Sequence, residues 1–296
     1  MELLPKPLFM KFLDKYPKTW KYLINVGLLI KYKTIHRDRI PNKIALSTEN
    51  SLYINSAENR GRALLLKNGE TQTRLTSFWK EAVMNFKPTI VLDVGVNYGE
   101  CIFSTNYDKK VKIYGFEANE RLIPYIERSK DEHKNKEQIK IIHALASNKT
   151  KQQQSFYVNS MWSGTSSGVT TKMNKAIERQ TIDSIKVDSL FTDHELLQER
   201  VLFKVDVEGF EAFVLNGMER LIQESKSCLG FIEFDSHYIR KSGTDIEDFL
   251  LFLEKHFEIY YYTSEDQLIK MDRVLIENFK DMLGTKEYHT DLVLMR

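Results

Sequence analysis

Cysteine is scarce in this chain of 296 residues, which contains only two. Cys101 and Cys228 both stand in apolar sequence, and their separation matches no spacing of metal ligands. The sequence therefore gives no basis for a disulfide framework or for a cysteine-bound metal. We predict two reduced, buried thiols in a cytoplasmic protein.

Long apolar runs are also missing. No run reaches the roughly 20 residues that a transmembrane helix needs. The longest run near the N-terminus, Tyr22–Ile30, is interrupted by Asn25 and Gly27, and no small-residue cleavage site follows it. We therefore expect the protein in the cytoplasm, with the inner face of the membrane as a second expected location.

Charge is nearly balanced over the whole chain but not along it. The 43 Lys and Arg residues exceed the 41 Asp and Glu residues by two, which gives no reason to expect a nucleic-acid partner. Residues 1–43, however, carry ten basic residues against three acidic ones, with apolar residues between them at roughly helical spacing. A basic amphipathic helix either lies peripherally on an anionic membrane or packs on the main domain with a solvated basic edge.

Two phosphate-binding motifs are absent from the stretch Thr89–Glu100, although it has the order of strand, acidic residue and glycine turn. A β-branched apolar run ends at Asp93, and Gly95 and Gly99 then bracket a turn that contains Asn97. A P-loop would need Gly-Lys-Ser/Thr, and a dinucleotide loop would need three glycines spaced G-x-G-x-x-G. The pattern D-x-G-x-N-x-G instead resembles the first motif of class I S-adenosylmethionine (SAM) methyltransferases. A glycine turn that merely packs the following helix, predicted to begin at Cys101, is the alternative.

A second acidic residue supports a nucleotide-like ligand. Glu117 ends the next predicted strand, where a carboxylate can accept hydrogen bonds from both ribose hydroxyls. The alternative is that Glu117 only caps the helix that starts near Asn119. The third predicted strand, 139–146, ends beside the same site, so we add Ala146 and Ser147 to the predicted cofactor-binding residues.

Acidic residues follow two further predicted strands. Asp206, Glu208 and Glu211 come after the apolar run 201–205, and Glu233, Asp235 and His237 end the strand that begins at Cys228. Carboxylates crowded at strand ends repel one another, which favours a functional role. Capping of the next helix is the alternative for Glu208 and Glu211.

With these blocks identified, residues 52–296 resemble the FkbM family of SAM-dependent methyltransferases. The most specific block is Phe203–Glu211, with the Lys-x-Asp-x-Glu-Gly-x-Glu pattern, and Val96 departs from the alanine usual in the family. The resemblance implies an α/β, Rossmann-like class I methyltransferase fold with a mostly parallel seven-stranded sheet. It also implies SAM as cofactor and a hydroxyl acceptor on a sugar or a polyketide-type product. We divide the chain into a basic extension (1–45), a hairpin and helix lead-in (46–86) and a methyltransferase domain (87–296), the first two forming an N-terminal helical and hairpin extension.

A sugar hydroxyl needs a base or a metal to lower its pKa. Asp206 and Glu208 are the predicted catalytic carboxylates, and Asp206, Glu233 and Asp235 are the predicted ligands if the site holds Mg²⁺ or Mn²⁺. Without a metal, His237 is the predicted base, although a surface histidine is an equal alternative.

The predicted partner is a sugar, nucleotide-sugar or lipid-linked glycan acceptor in polysaccharide biosynthesis. Methylation of a small natural product and a non-catalytic scaffold in glycan assembly are the alternatives. A nucleic-acid methyltransferase would usually carry an Asn/Asp-Pro-Pro-Tyr/Phe motif, which the chain lacks at residues 206–209. The glycine spacing disfavours a nicotinamide-dependent sugar oxidoreductase or epimerase.

Overall fold

An N-terminal lead-in packs on one side of the main sheet. The computed structural model describes residues 17–169, 173, 175–192, 195–284 and 286–296, so part of the predicted basic extension, residues 1–16, lies outside the described residues. The basic extension contains α1 (Pro17–Tyr32) and the hairpin strand β1 (Lys43–Ala45), and the lead-in contains the second hairpin strand β2 (Ser51–Tyr53), α2 (Asn59–Leu66) and α3 (Thr73–Asn85). Ile44 pairs with Leu52 in the antiparallel hairpin, as the alternation of apolar and polar residues predicts. Helix α2 was not predicted, because polar residues dominate its first turn.

The main sheet has eight strands within the described residues. They are β3 (Ile90–Val94), β4 (Lys112–Glu117), β5 (Ile139–His143), β9 (Arg200–Val205), β10 (Ser227–Asp235), β11 (Glu258–Tyr262), β12 (Leu268–Lys270) and β13 (His289–Met295). Their order across the sheet is β12-β11-β13-β10-β9-β3-β4-β5. Strands β10, β9, β3, β4 and β5 run parallel, and β13 is antiparallel to its neighbours β10 and β11. The mostly parallel sheet is therefore confirmed, with one correction: the sheet has eight strands and not seven, because the short, exposed strand β12 is added at one edge.

Helices cover both faces of this sheet. They are α4 (Ile123–Asp131), α5 (Glu211–Asn216), α6 (Glu219–Glu224), α7 (Ser236–Lys241), α8 (Ile246–His256) and α9 (Arg273–Leu283). Alternate residues of β3 face opposite sides: Leu92 packs with the cluster under α5, α6, α8 and α9, while Val91 packs with the lead-in and α4. Because both faces are covered, the parallel strands are apolar nearly throughout.

A three-stranded sheet stands beside the carboxyl end of β5. Its strands are β6 (Leu145–Ser147), β7 (Gln153–Asn159) and β8 (Ile177–Lys186), in the order β6-β8-β7. Strand β6 follows β5 after one residue, so the small sheet continues the chain directly from the edge of the large one. The loop after β7 thereby reaches across toward the turn that follows β3.

The predicted helix after Gly99 is the clearest departure from the sequence-based expectation. Residues 97–105 form consecutive turns, with hydrogen bonds from Phe103 N–H to Gly99 O (3.1 Å) and from Ser104 N–H to Cys101 O (3.0 Å). The segment is short and the side chains of Cys101, Ile102 and Phe103 are all buried, so tertiary packing decides its conformation. Cys101 and Cys228 are buried and unpaired, as predicted.

Candidate active site

A cleft opens at the carboxyl ends of the parallel strands, where the chain leaves the sheet for its loops. It contains about 1090 Å³ of space outside the atoms, part of it open to solvent. Open α/β sheets bind ligands at this edge because the loops diverge there. The walls come from the turn after β3, the ends of β4, β9 and β10, the start of β6, helix α2 and the loop Trp162–Ser166.

The turn after β3 adopts backbone conformations that favour glycine. Gly95 and Gly99 have φ of +82° and +89°, and Asn97 between them has φ of +52°. A Cβ on Gly95 would lie 2.0 Å from the carbonyl oxygen of Asp206, so Gly95 lets this turn touch the loop after β9. Gly95 and Asn97 line the cleft. Gly99 packs against Phe103, whose ring a Cβ on Gly99 would overlap, and its role in cofactor binding stays a prediction.

Glu117 ends β4 in the cleft wall with its carboxylate buried. One oxygen accepts the N–H of Asn97 and the other accepts the N–H of Asn119, each at 2.7 Å. Burial raises the pKa of Glu117, and these two hydrogen bonds to the charged form oppose the rise. Each oxygen keeps a second lone pair that ribose hydroxyls can use. The hydrogen bond to Asn119 lies before α4, which begins at Ile123 and has no side-chain cap, so Glu117 does not cap that helix. Ribose binding to this carboxylate stays a prediction.

Apolar side chains form the wall beside Glu117. They belong to Phe116, Ala118, Ala144, Leu145, Ala146 and Phe156. Ser147 is not among the residues that line the cleft, and its role as a cofactor-binding residue stays a prediction. It is buried in β6, where its carbonyl oxygen lies so close to Gly217 that a Cβ on that glycine would come within 2.1 Å.

A buried ion pair lies beneath the turn, and the sequence analysis assigned it no role. Lys204 and Asp93 are directly paired residues of β9 and β3, and Lys204 Nζ lies 3.3 Å from Asp93 Oδ1. The same Nζ lies 3.6 Å from Asp206 Oδ2 and donates to the carbonyl of Gly95 at 2.5 Å. Burial lowers the pKa of Lys204, but the charges of Asp93 and Asp206 outweigh it and raise the pKa overall.

Asp93 therefore positions the turn from within the protein and does not line the cleft. Its second oxygen accepts the N–H of Ile102 at 3.3 Å, and burial raises the pKa of Asp93 against the lowering effect of Lys204. Because Asp93 is fully buried, it would act on the cofactor through the turn that it holds, and its role in cofactor binding stays a prediction. Lys204 was detectable from the sequence, because a lysine in the middle of a buried apolar strand needs a partner.

Three carboxylates converge in the cleft: those of Asp206, Glu208 and Glu233. One oxygen of each lies within 4.8 Å of the others. Burial and the neighbouring carboxylates raise the pKa values of Glu208 and Glu233 well above their usual range. Glu208 also has φ of +51°, a left-handed conformation that is uncommon for glutamate and that clusters at functional sites. We refer to these three residues as the carboxylate cluster.

Glu211 and Asp235 lie outside the carboxylate cluster. Glu211 accepts the N–H groups of Val207 (3.2 Å) and Gly209 (3.1 Å) in the loop before α5, and α5 itself has no side-chain cap. Asp235 caps α7 by accepting the N–H of His237 at 2.9 Å. Of the predicted metal ligands, Asp206 and Glu233 lie in the carboxylate cluster with Glu208, whereas Asp235 caps α7. Metal binding stays a prediction.

Of the two histidines near this end of the sheet, His289 lies beside the carboxylate cluster and His237 lies outside the cleft wall. His237, predicted as the base, lies outside the cleft wall, with a half-exposed side chain and Nδ1 2.8 Å from Glu287. His289, which the sequence analysis did not select, lies 3.6 Å from Glu233 and 3.3 Å from Asp235. Burial lowers the pKa of His289, but the hydrogen bond to Asp235 and the nearby carboxylates raise it to about 9. A protonated His289 therefore stands directly behind the cluster.

The lead-in closes the remaining side of the cleft. Glu58, the N-cap of α2, accepts the N–H of Ser163 at 2.8 Å and the hydroxyl of Tyr98 at 3.0 Å. It thereby joins the lead-in, the loop Trp162–Ser166 and the turn after β3. Arg60 pairs with Glu100 at 2.7 Å, while its Nε is buried and has no hydrogen-bond partner among the described residues.

Sequence comparison agrees with this arrangement. The family described as "Methyltransferase FkbM domain" matches residues 93–260, more than half of the chain. The chain belongs to the FkbM methyltransferase family. It is therefore a SAM-dependent methyltransferase, and the predicted Rossmann-like class I fold is confirmed. The comparison with curated proteins finds no match.

Solved structures similar to this FkbM methyltransferase share little sequence with it. An SAH-bound methyltransferase of Podospora anserina, PaMTH1, is 11% identical with a TM-score of 0.44, over 77% of this chain and 80% of that one. An O-methyltransferase of Bacillus cereus in complex with SAH is 9% identical with a TM-score of 0.40, over 77% and 82%. A precorrin-6y C5,15-methyltransferase of Geobacter metallireducens GS-15 is 10% identical with a TM-score of 0.38, over 76% and 90%.

The residues of the cleft fit SAM. Glu117 would hold the ribose hydroxyls, the apolar wall of Ala118, Ala146 and their neighbours would contact the adenine, and the open backbone at Gly95 would leave room for the methionine part. Arg60 adds a guanidinium whose buried, unpaired Nε would attract the carboxylate of SAM. Each of these groups lies in the wall of the same cleft as the carboxylate cluster.

Proposed function

We propose that this FkbM methyltransferase transfers the methyl group of SAM to a hydroxyl of a sugar or glycoconjugate. The observation that carries the proposal is the convergence of Asp206, Glu208 and Glu233 in the cleft that Glu117 also lines. Carboxylates accept hydrogen bonds and suit pairs of hydroxyl donors. An acceptor hydroxyl held at the cluster would lie in the same cleft as the methyl donor.

The opposite wall also supports a carbohydrate acceptor. The loop Trp162–Ser166 contributes an indole, three hydroxyl side chains and a glycine to the cleft. A sugar ring has an apolar face that can pack on an aromatic side chain and a polar rim that can hydrogen-bond to hydroxyls. The loop is fixed by Glu58 through the N–H of Ser163, so it presents these groups from a defined position.

The carboxylate cluster would take the proton that the acceptor hydroxyl loses. SAM supplies an activated methyl group, so positioning and proton removal are what the protein must add. As the new O–CH₃ bond forms and the S–CH₃ bond breaks, the hydroxyl proton passes to a carboxylate. Glu208 and Glu233 are the better acceptors, because burial and the neighbouring carboxylates raise their pKa values and so strengthen their hold on a proton. Asp206, held by Lys204, would orient the hydroxyl.

The same three carboxylates offer an oxygen-rich ligand set that suits Mg²⁺ or Mn²⁺. A bound divalent cation would supply Lewis-acid activation of the acceptor hydroxyl, with Asp206, Glu208 and Glu233 as its protein ligands. We propose it as the second version of the site. Chelation separates the two: turnover that EDTA abolishes and Mn²⁺ restores supports the cation, and turnover unaffected by EDTA supports direct proton removal.

The acceptor class is tested with methyl-labelled SAM and three sets of acceptors. These are nucleotide sugars, lipid-linked glycans and small hydroxylated natural products, with the label located by mass spectrometry. We expect label on a sugar hydroxyl of one of the first two sets. Label confined to natural products would contradict the sugar proposal but not methyl transfer itself.

The cluster is tested by Asp206→Asn and Glu208→Gln. Both variants keep side-chain shape and lose charge, so we expect normal SAM binding and turnover lower by a factor of about 10²–10⁴. Glu287→Gln is the matched control, since Glu287 is an exposed carboxylate that pairs with His237 outside the cleft. Near-normal turnover of both cluster variants would contradict both versions of the site.

A further inference from the structure

Helix α1 is fixed to the methyltransferase domain by one of its faces. Ile24 and Leu28 on this face are buried against α2. A Cβ on Gly27 would lie 2.9 Å from Leu66, which shows how closely the two helices approach. Lys31 donates to the carbonyl of Leu65 at 2.6 Å. The orientation of α1 on the domain is therefore defined, and so is the face that it turns away.

The outer face of α1 is apolar and exposed. It consists of Tyr22 (67% exposed), Leu23 (50%), Val26 (37%), Leu29 (51%) and Ile30 (68%). At about 3.6 residues per turn these positions share roughly one third of the helix circumference, opposite Ile24 and Leu28. Elsewhere in the described chain, no single helix or strand exposes more than two large apolar side chains. A helix that is apolar on both faces is normally covered on both.

The charge around this outer face is positive. Lys21 and Lys33 are exposed on α1 or directly after it. Residues 1–43 hold ten of the 43 basic residues of the chain but only three of its 41 acidic ones. The remaining 253 residues consequently have an excess of acidic residues. An apolar stripe with basic residues beside it complements an anionic lipid surface, whereas a second copy of the chain would bring like charges together.

We propose that the outer face of α1 docks the enzyme peripherally on an anionic lipid bilayer. The five apolar side chains would enter the region between headgroups and acyl chains, and the lysines would lie at the headgroups. No helix among the described residues is long and apolar enough to span a bilayer. Because α1 packs on α2, and α2 carries Arg60 in the cleft wall, docking would bring the active-site cleft near lipid-linked acceptors.

The first test is cosedimentation of the full chain with vesicles. We expect binding to vesicles of equal parts phosphatidylcholine and phosphatidylglycerol, weak binding to phosphatidylcholine alone, and release as salt is raised. Lys33→Gln should weaken binding to the mixed vesicles about fivefold. Lys21→Gln should weaken it less, because Lys21 lies on the side of α1 that also carries Leu28. Binding that is equal for both vesicle types and insensitive to salt would overturn the proposal.

The second test compares Leu29→Glu with Leu251→Glu. Both replace a half-exposed helical leucine, 51% and 55% exposed, and Leu251 lies on α8 away from the outer face of α1. We expect Leu29→Glu to lower partitioning into the mixed vesicles about tenfold or more, and Leu251→Glu to leave it unchanged. Equal partitioning of the two variants would overturn the proposal.

The same variants would give different results if the outer face were covered by a second copy of the chain or by residues 1–16. If a second copy covered it, light scattering would show a dimer that Leu29→Glu dissociates, and vesicles would not bind. If residues 1–16 covered it, Leu29→Glu would lower the thermal midpoint while vesicle binding stayed unchanged. Either result would overturn lipid docking.

Discussion

Replacing Lys204 with methionine tests how the turn after β3 is held. The substitution keeps the apolar stem and removes the ammonium that lies 3.3 Å from Asp93 and 3.6 Å from Asp206. At an effective dielectric constant of about 20, unit charges at 3.3 Å attract by about 5 kcal/mol. Leaving one member of a buried pair uncompensated typically costs about 3–5 kcal/mol of unfolding free energy. That is a large part of the roughly 5–15 kcal/mol available to a folded domain.

Removing the charge of Asp93 as well should restore part of the unfolding free energy that Lys204→Met loses. In Asp93→Asn/Lys204→Met the buried pair becomes neutral, so we expect the double variant to be more stable than Lys204→Met alone. In Lys204→Met the pKa of Asp93 rises further above its unfolded value. The stability of that variant should therefore be higher below about pH 4, where Asp93 is protonated in both states, and fall as the pH rises.

Urea unfolding followed by circular dichroism measures both effects. Lys112→Met is the matched control, because Lys112 is on β4 of the same sheet and makes a partly exposed pair with Glu199 at 3.5 Å. Such a pair contributes at most about 1 kcal/mol. The reasoning would be refuted if Lys204→Met cost no more than the control, or if the double variant were the least stable of the series.

Three further predictions concern single side chains of the site. Glu117→Gln should lower SAM affinity about tenfold or more in isothermal titration, because one carboxylate oxygen that accepts an N–H becomes an amide donor; exposed Glu120→Gln is the control, and equal affinities would contradict ribose binding. Burial raises the pKa of Glu211 to about 7, above its unfolded value, so the stability that the protonated side chain contributes is lost as the pH rises from about 4.5 to 7. In thermal denaturation, Glu211→Gln should therefore lose less stability than the unmodified protein over this pH range. A pH profile of stability identical to that of the unmodified protein would contradict this prediction. His237→Ala should leave turnover with SAM near normal, because His237 lies outside the cleft; a loss of a hundredfold or so, the size expected of a general base, would restore it as the base.

The sequence was sufficient to predict that Gly95, Asn97 and Glu117, the predicted cofactor-binding residues, lie close together. Local order along the chain carries it: an apolar strand, a glycine turn with Asn97, and an acidic residue at the end of the next strand. Parallel strands bring their carboxyl ends to one edge, so Gly95, Asn97 and Glu117 had to lie near one another once β3 and β4 were recognised. By the same reasoning Asp206 and Glu233 had to lie near one another, because β9 and β10 are also neighbouring parallel strands.

The direction of each side chain was decided by packing. Glu208 enters the carboxylate cluster through a left-handed backbone, whereas Asp235 turns back to cap α7, and nothing in the spacing of the acidic residues distinguishes the two. His289 reaches the cluster from β13, which is far along the chain but adjacent to β10 in the sheet. His237, close to the cluster in sequence, lies outside the cleft wall as the second residue of α7.

The sequence by itself determined the strands of the parallel sheet and several of its helices, since hydrophobic period and turn residues act over a few neighbouring positions, but it did not reveal α2 or β12. It also contained the clue to the Asp93–Lys204 pair, because alternation along two adjacent strands puts both residues on one face of the sheet. Only the tertiary structure decided that Lys204 lies beneath the turn, that Glu58 joins the lead-in to the cleft, and that α1 leaves an apolar face uncovered. Those outcomes depend on contacts between segments distant in the chain, which local patterns do not specify.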